Sequence, residues 1–358
     1  MKIIRVRPFL KKLALSKPYT IAGYTFTDAE NVFLEIELEN GFVGLGAASP
    51  AEEVVGETGT QTYTQLQSDF FQSFVGRDIR HFRQLIFETC QTFPLLPGTQ
   101  AVVDIALHDA FGQYLGIPVV EIYGQKITSL PTSVTIGIMS VKDTLQEAEE
   151  YRKMGFKVLK VKIGEVVEED IERILMLHEN FGSAFKIRVD ANQGYNLEEF
   201  KRFIKATEKV GVEVLEQPLV VGEEAFLLAL DDQIRKLLVA DESLKNSKAA
   251  LALAQSPHLF GIFNIKLMKC GGILNAFEIA TIAKNADIEL FWGCNDESIV
   301  CITAALHAAF ACPTTRFLDL DGSFDLAEDV VSGGFVLKDG CLSLTAKAGL
   351  GLSKSVRR

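Results

Sequence analysis

The chain has 358 residues, of which 48% are hydrophobic, and a formal net charge of −11 at pH 7. Its length and composition allow one large domain or two domains of ordinary size. The negative charge argues against a nucleic-acid partner, which would need a basic face to neutralise phosphates. No apolar run approaches the 18 residues that a membrane-spanning helix requires, so we expect no membrane partner.

The cysteines and the N-terminus give an expected location. Six cysteines occur without a Cys-x-x-Cys spacing, and a chain of this length needs no disulfide framework. The first residues, MKIIRVRPFLKKLAL, lack the apolar run and small-residue cleavage site of a secretory signal. We therefore expect a cytoplasmic protein.

The first 125 residues predict an α+β domain. Residues 32–49 predict a β-hairpin with Asn40-Gly41 at its turn. Residues 99–116 predict an apolar helix that ends at Gly116. We assign residues 1–125 to an N-terminal capping domain.

From about residue 130, short β-branched runs alternate with amphipathic segments, which is typical of strand–helix units and a parallel sheet. The predicted strands are 132–138, 157–163, 185–190, 212–217, 236–241, 261–266, 288–293 and 315–320. Eight strands is the number that closes a (β/α)8 barrel of the TIM type, in the α/β class. We predict a barrel domain over residues 126–322 and a C-terminal segment, 323–358, that returns to the capping domain. Barrels of this size often assemble symmetrically, so a homo-oligomer is expected.

Two lysines interrupt the predicted strand 157–163. Lys160 and Lys162 share one face of that strand, because successive strand side chains point to opposite faces. Burying two unpaired ammonium groups is unfavourable. Either this strand lies at a sheet edge in water, or the pair faces a site that needs amines.

Charged residues recur at the ends of the predicted strands. They are Lys162, Asp190, Glu216, Asp241, Lys266 and Asp319. From Lys162 to Lys266 they are spaced one strand–helix unit apart, so their side chains should converge at the C-terminal mouth of the barrel, where barrel active sites are built.

Three consecutive strands supply carboxylates to this mouth. Asp190, Glu216 and Asp241 predict an all-oxygen site suited to Mg²⁺. The alternative is that each carboxylate caps the helix that follows its strand.

The strands of Lys162 and Lys266 lie roughly opposite one another in an eight-stranded ring, so one amine could approach each face of a substrate bound at the metal. Lys160 and a metal cation would both disfavour a positive charge on Lys162 and so lower its pKa.

The motifs at these positions resemble those of the enolase superfamily, in its muconate-lactonizing-enzyme subgroup. They are KVK (160–162), DAN (190–192), EQP (216–218), ADES (240–243) and NIKLMKCGG (264–272). The resemblance extends over nearly the whole chain. It implies that Asp190, Glu216 and Asp241 bind Mg²⁺ and that Lys162 and Lys266 are the acid–base catalysts, with Lys160 tuning Lys162.

The segment LDLDG (318–322) narrows the range of reactions that the chain could catalyse. Asp319 and Asp321 would share a face and form a clamp for a substrate ammonium, which resembles the Asp-x-Asp pair of dipeptide epimerases. The resemblance implies a two-base 1,1-proton transfer that inverts the C-terminal residue of a dipeptide. The alternatives are a cycloisomerase or an o-succinylbenzoate synthase, whose substrates have no amine, and a non-catalytic relative that binds a metal or ligand.

Three loops are expected to bind the substrate side chains. Tyr24 and Phe26 lie where relatives that act on Ala-Glu often carry an arginine. Glu52, with Glu53, lies in the second capping loop, and Asp296 follows strand seven. Such an acidic, aromatic pocket would favour a basic second residue over an apolar one, and an acidic one least. Alternatively, Glu52 is solvated and Asp296 caps the following helix.

Two further residues lie near the predicted site. Cys294 is expected to touch the site without acting as a nucleophile. Lys269 is expected just beyond its barrel strand, with no assigned role.

Overall fold

The computed structural model describes residues 1–21, 24–50 and 52–354, without the side chains of residues 17–21, 24–26 and 53. An antiparallel sheet of three strands, β1 (Ile3–Ile21), β2 (Tyr24–Leu38) and β3 (Val43–Ala48), forms the N-terminal part. The predicted hairpin is confirmed, since Val32 pairs with Ala48 and Glu37 with Val43. The pairing of β1 with β2 was not predicted.

Six α-helices follow this sheet in the chain. They are α1 (Glu52–Val55), α2 (Gly59–Leu66), α3 (Asp69–Gln72), α4 (Phe82–Thr92), α5 (Pro97–Leu115) and α6 (Val119–Tyr123). Helix α5 is buried along most of its length and approaches β3 so closely that a Cβ on Gly46 would lie 2.0 Å from the carbonyl oxygen of Val102. This helix ends as predicted, with Gly116 in the left-handed conformation at φ 72°.

The second part is an eight-stranded parallel sheet, which confirms the predicted fold class. Its elements, preceded by β4 (Leu130–Pro131), are β5 (Val134–Ile136), α7 (Val141–Lys153), β6 (Val158–Lys162), α8 (Val167–Phe181), β7 (Lys186–Asp190), α9 (Leu197–Thr207), β8 (Leu215–Glu216), α10 (Asp232–Arg235), β9 (Leu238–Ala240), α11 (Ser247–Leu253), β10 (Ile262–Ile265), α12 (Leu267–Cys270), α13 (Ile273–Asn285), β11 (Glu289–Trp292), α14 (Ile299–Ala311) and β12 (Thr315–Leu318). Neighbouring strands pair in sequence order from β5 to β12. A parallel bridge from Thr132 to Leu318 joins the two ends of the sheet, which closes the barrel.

Local sequence signals set several helix starts. Asn196 caps α9 as predicted, and its side chain accepts from the backbone N–H groups of Glu198 and Glu199. Helix α14 is capped by Ser298, which accepts from the backbone N–H of Val300. Asp296 is therefore not the cap that one alternative assigned to it.

The C-terminal strands are β13 (Val331–Gly333), β14 (Phe335–Lys338), β15 (Cys341–Leu344) and β16 (Leu352–Lys354). The turn between β15 and β16 contacts α5, where the Leu350 N–H donates to Asp109 at 2.7 Å. Gly349 has φ 66°, and a Cβ there would lie 2.2 Å from the Asp109 carboxylate, so the turn requires glycine. Within the described residues, no helix is both long and apolar enough to cross a membrane. The bounds of the three predicted segments remain predictions.

Candidate active site

The charged residues predicted at strand ends lie at one end of the barrel. Lys162, Asp190 and Glu216 are the last residues of β6, β7 and β8. In register, Lys162 is paired with Asp190 and Asp190 with Glu216. Asp241 and Lys266 immediately follow β9 and β10.

Lys160 lies in the centre of the carboxylate cluster. Its side chain is 3% exposed, and its Nζ lies 3.0 Å from Asp190, 2.7 Å from Glu216 and 2.9 Å from Asp319. Burial alone would lower the pKa of Lys160, but the surrounding carboxylates, Asp190 first, raise it well above its usual value. The lysine pair thus faces a site and not a solvated sheet edge.

Lys162 is more accessible. Its side chain is 30% exposed, and its Nζ donates to Oδ2 of Asp190 and Oδ1 of Asn192, both at 2.8 Å. Asn192 adopts φ 41°, a conformation that few residues other than glycine, asparagine and aspartate reach easily. The buried Arg173 donates to the backbone carbonyl of Lys162 at 3.0 Å and fixes the strand end.

Two lysines contact Asp241 on the other side of the barrel. Lys266 donates to Oδ2 of Asp241 at 2.9 Å, and its side chain is 13% exposed. Lys269, which is buried, donates to Oδ1 and to the backbone carbonyl of Asp241, and to the backbone carbonyl of Asn264. Burial alone would lower the pKa of Lys266, but the adjacent carboxylates, Asp241 first and then Glu216, together raise it above its usual value.

The three predicted metal ligands are almost fully buried. Burial, with Asp190 close by, raises the pKa of Glu216 to about 8. The pKa values of Asp190 and Asp241 are instead lowered, since their lysine partners outweigh burial.

The donor atoms fit a hard cation, although they do not form a ready-made cage. In the part of the chain that the structure describes, no three His, Cys, Asp or Glu side chains enclose a metal position, because lysine ammonium groups lie between the carboxylates. Oε2 of Glu216 lies 2.7 Å from the Lys160 ammonium, whereas Oε2 of Glu242 is buried without a hydrogen-bond partner among the described residues. Glu242 adjoins Asp241, so an unpartnered carboxylate oxygen suited to a hard cation lies beside the predicted ligands.

Asp319 and Asp321 lie just beyond β12 (Thr315–Leu318). The alternation of side chains along a strand, from which we predicted that they share a face, therefore does not apply to them. Asp319 accepts from Ser133 Oγ at 2.6 Å and from Lys160 at 2.9 Å. Asp321 accepts from the backbone N–H of Thr135 at 2.8 Å. Burial, followed by the repulsion of Asp319, raises the pKa of Asp321 to about 7. The two carboxylates therefore interact, but the Asp319 carboxylate is already bound by Ser133 and Lys160.

A buried arginine supports Asp319 from the barrel interior. Arg188 donates to the Leu318 carbonyl at 2.8 Å and to Ser133 Oγ at 3.3 Å. Its guanidinium lies 5.5 Å from the ring centre of Phe291 and 5.1 Å from that of Phe317.

The predicted specificity residues are only partly brought together. The side chains of Tyr24 and Phe26 lie outside the described part of the chain. Glu52 is exposed, at the start of α1. Asp296 is partly buried in the loop after β11, and its carbonyl accepts from Ser49 Oγ at 3.0 Å. This bond ties the second capping loop to the loop after strand seven.

Cys294 contacts the predicted ammonium clamp. Its Sγ lies 3.2 Å from the Asp319 carbonyl oxygen and 3.8 Å from Oδ1 of Asp321. Burial, with Asp321 nearby, raises the pKa of the Cys294 thiol well above its usual value, which suits a neutral wall of the site and not a nucleophile.

Two family profiles match the chain over most of its length. Residues 3–124 match the mandelate racemase/muconate lactonizing enzyme N-terminal domain, and residues 143–355 match the enolase C-terminal domain-like family. The chain belongs to the mandelate racemase/muconate lactonizing enzyme family. The predicted resemblance to the enolase superfamily is confirmed.

Relatives within this family are dipeptide epimerases. An L-Lys-D/L-Arg epimerase of Desulforapulum autotrophicum is 50% identical over 99% of this chain and 100% of its own length. A hydrophobic dipeptide epimerase of Enterococcus faecalis is 34% identical, over 99% of this chain and 100% of its own. The crystal structure of a Methylococcus capsulatus dipeptide epimerase, complexed with Mg and L-Arg-D-Lys, superposes with a TM-score of 0.96 at 48% identity, covering 98% of this chain and 99% of that one.

Several residues of this enolase-superfamily site were given no role from the sequence. They are Ser133, Arg188, Asn192, Asn264, Lys269 and Glu297. Asn264 donates to Oε1 of Glu216 at 2.5 Å, and Glu297 is 2% exposed with a pKa that burial raises to about 8. The Lys-x-x-Lys spacing was the available signal for Lys269, since one helical turn separates its two members.

Proposed function

We propose that this chain is a Mg²⁺-dependent dipeptide epimerase that inverts the α-carbon of the C-terminal residue, with a preference for a basic residue there. One observation carries the proposal. Two accessible lysines, Lys162 and Lys266, lie on strands separated by the three that supply the carboxylates, and an Asp-x-Asp pair lies at the same barrel end. The family relatives that act on Lys- and Arg-containing dipeptides support the choice of substrate.

Binding would begin at two anchor points. Asp190, Glu216 and Asp241 would hold Mg²⁺, which when bound would bind the substrate carboxylate and stabilise the negative charge that develops there. Asp321, supported by Asp319, would take the N-terminal ammonium. With both ends fixed, the α-carbon of the second residue would lie between the two lysines.

The chain's own lysines then perform two proton transfers. One lysine, as a neutral amine, takes the α-proton on its Nζ. The other, as an ammonium, delivers a proton from its Nζ to the opposite face. One Nζ gains the proton that the substrate loses and the other supplies its replacement, so the configuration inverts with no net change.

The loop after β11 supports a preference for a basic side chain. Asp296 lies in that loop, and Glu52 lies in the capping segment that follows Ser49. Carboxylates at this position favour a cationic side chain and repel an acidic one. The cytoplasmic location and the homo-oligomeric state remain predictions.

The experiment is α-proton exchange in D₂O with Mg²⁺, followed by mass spectrometry, over L,L-dipeptides with basic, apolar or acidic second residues. Deuterium should enter that residue alone, fastest in the basic group. Lys162→Ala and Lys266→Ala should each abolish epimerisation. If no dipeptide exchanges, the proposal is wrong and an amine-free substrate of a cycloisomerase becomes the better candidate.

A further inference from the structure

The four lysines of the site form two pairs, and both members of a pair contact the same aspartate. Lys160 and Lys162 both contact Asp190, and Lys266 and Lys269 both contact Asp241. In each pair one member is buried, with a side chain 2–3% exposed, and the other is accessible, at 13–30%.

Lys269 uses its whole donor capacity on protein atoms. An ammonium has three N–H donors, and Lys269 donates to Oδ1 and the carbonyl of Asp241, the latter at 2.6 Å, and to the carbonyl of Asn264 at 3.1 Å. With three acceptors for three donors, its Nζ has no proton free for a substrate. Lys269 therefore cannot serve as a second base in the geometry observed.

The position of Lys269 follows from one turn of helix. Lys266 precedes α12, and the backbone N–H of Lys269 donates to the Lys266 carbonyl at 3.0 Å. Gly271, at φ 89°, ends the turn. The turn returns the Lys269 side chain to the mouth of β9 and β10, so Lys269 cross-links the two strand ends on which Asp241 and Lys266 depend.

We propose that Lys269 is a positioning residue that holds Asp241 so that Lys266 can serve its own face of the substrate, as Lys160 does for Lys162 through Asp190. Without Lys269, three buried acceptor sites lose their donor. Asp241 is then free to turn towards the Lys266 ammonium and to draw it away from the α-carbon. Lys162, held by Asp190 and Asn192, keeps its place.

The inference rests on the proposed epimerase function, and the test separates the two. Exchange in D₂O is measured separately with the L,L and L,D epimers of an Arg- or Lys-containing dipeptide. Lys266→Met identifies the epimer that Lys266 deprotonates. Lys269→Met should slow exchange of that same epimer at least tenfold and that of the other less than threefold. Lys186→Met, whose lysine pairs with Glu213 at the far end of β7, is the matched control and should change neither rate.

Equal losses for both epimers, or a larger loss for the epimer served by Lys162, would overturn the inference. Calorimetric titration with Mg²⁺ provides a readout other than turnover. Lys269→Met should bind Mg²⁺ within tenfold of wild type, and abolished binding would show that Lys269 acts through the metal site and contradict its proposed role.

If Lys269→Met does not fold, Lys269→Gln, which retains donors for the two carbonyls, is measured instead. If neither variant folds, Lys269 is required for folding and the proposed positioning role is rejected. If the wild-type protein shows no exchange with either epimer, the proposed epimerase function itself is wrong.

Discussion

The ammonium groups of Lys160 and Lys162 contact the same oxygen, Oδ2 of Asp190, at 3.0 and 2.8 Å. Two like charges on one strand face are tolerated because both lie against carboxylates. Lys160 is buried beneath the site and Lys162 lies at its accessible rim. The shared aspartate explains why a strand that is otherwise apolar carries a Lys-x-Lys sequence.

Metal dependence is the first prediction. Chelation should abolish α-proton exchange, and Mg²⁺ should restore it. Glu216→Gln should weaken Mg²⁺ binding at least tenfold in calorimetry, because a neutral amide replaces one of the three predicted carboxylate ligands. Glu289→Gln, at the opposite end of the barrel where Glu289 pairs with the exposed Arg316, is the control and should bind Mg²⁺ normally. Unchanged binding in Glu216→Gln would reject Glu216 as a ligand.

The two clamp aspartates should behave differently. Asp321→Asn should raise KM for a dipeptide at least tenfold with little change in Tm, because it removes a charge for the substrate ammonium. Asp319→Asn should also lower Tm, because it removes one of the three carboxylates that pair with the buried Lys160. Kinetics and thermal unfolding of both variants check this prediction. Identical effects on Tm would contradict it.

Selectivity should depend on the loop after β11. Asp296→Asn should lower kcat/KM for basic dipeptides about tenfold relative to apolar ones, which corresponds to about 1.4 kcal/mol. Glu52→Gln is the comparison variant, and because Glu52 is exposed we expect a smaller change. Competition between Ala-Lys and Ala-Leu measures the ratio directly. An unaltered ratio in both variants would place the preference elsewhere.

His307 should give the fold a stability that depends on pH. His307 lies in α14, and its Nδ1 accepts from the backbone N–H of Val120 in α6 at 3.0 Å. Burial lowers the pKa of His307 to about 3. The unfolded chain takes up this proton near its ordinary pKa of 6.5, whereas the folded protein does so only near 3. The contribution of neutral His307 to the free energy of unfolding is therefore complete above pH 6.5. It decreases as the pH falls towards 3, by up to about 1.4 kcal/mol per pH unit.

Comparison with His307→Gln isolates this contribution. Urea unfolding at pH 6.5 and 4.5 should give a smaller loss of stability in the variant, by about 2 kcal/mol. Equal losses in the two proteins would mean that His307 titrates normally in the folded state. The His108 ring is the neighbouring titratable group that lowers the pKa of His307 further, and it is present in both proteins.

The sequence by itself determined the barrel and the chemical character of its mouth. Alternating strand and helix patterns located all eight strands, because each unit carries its own local periodicity. The recurrence of Lys162, Asp190, Glu216, Asp241 and Lys266 at strand ends placed these residues at one end of the barrel, because parallel strands bring their carboxyl ends to the same edge.

Only the tertiary structure decided how these charges are shared. Ser133 donates to Asp319 where the first and last strands of the barrel meet, and Arg188 donates to Ser133. Lys269 returns from a helical turn to bind Asp241. Such contacts join residues far apart in the chain, or depend on the direction of one long side chain, and neither is encoded in a local period. Burial then separates their roles, because it leaves Lys162 and Lys266 accessible while Lys160 and Lys269 are enclosed by their acceptors.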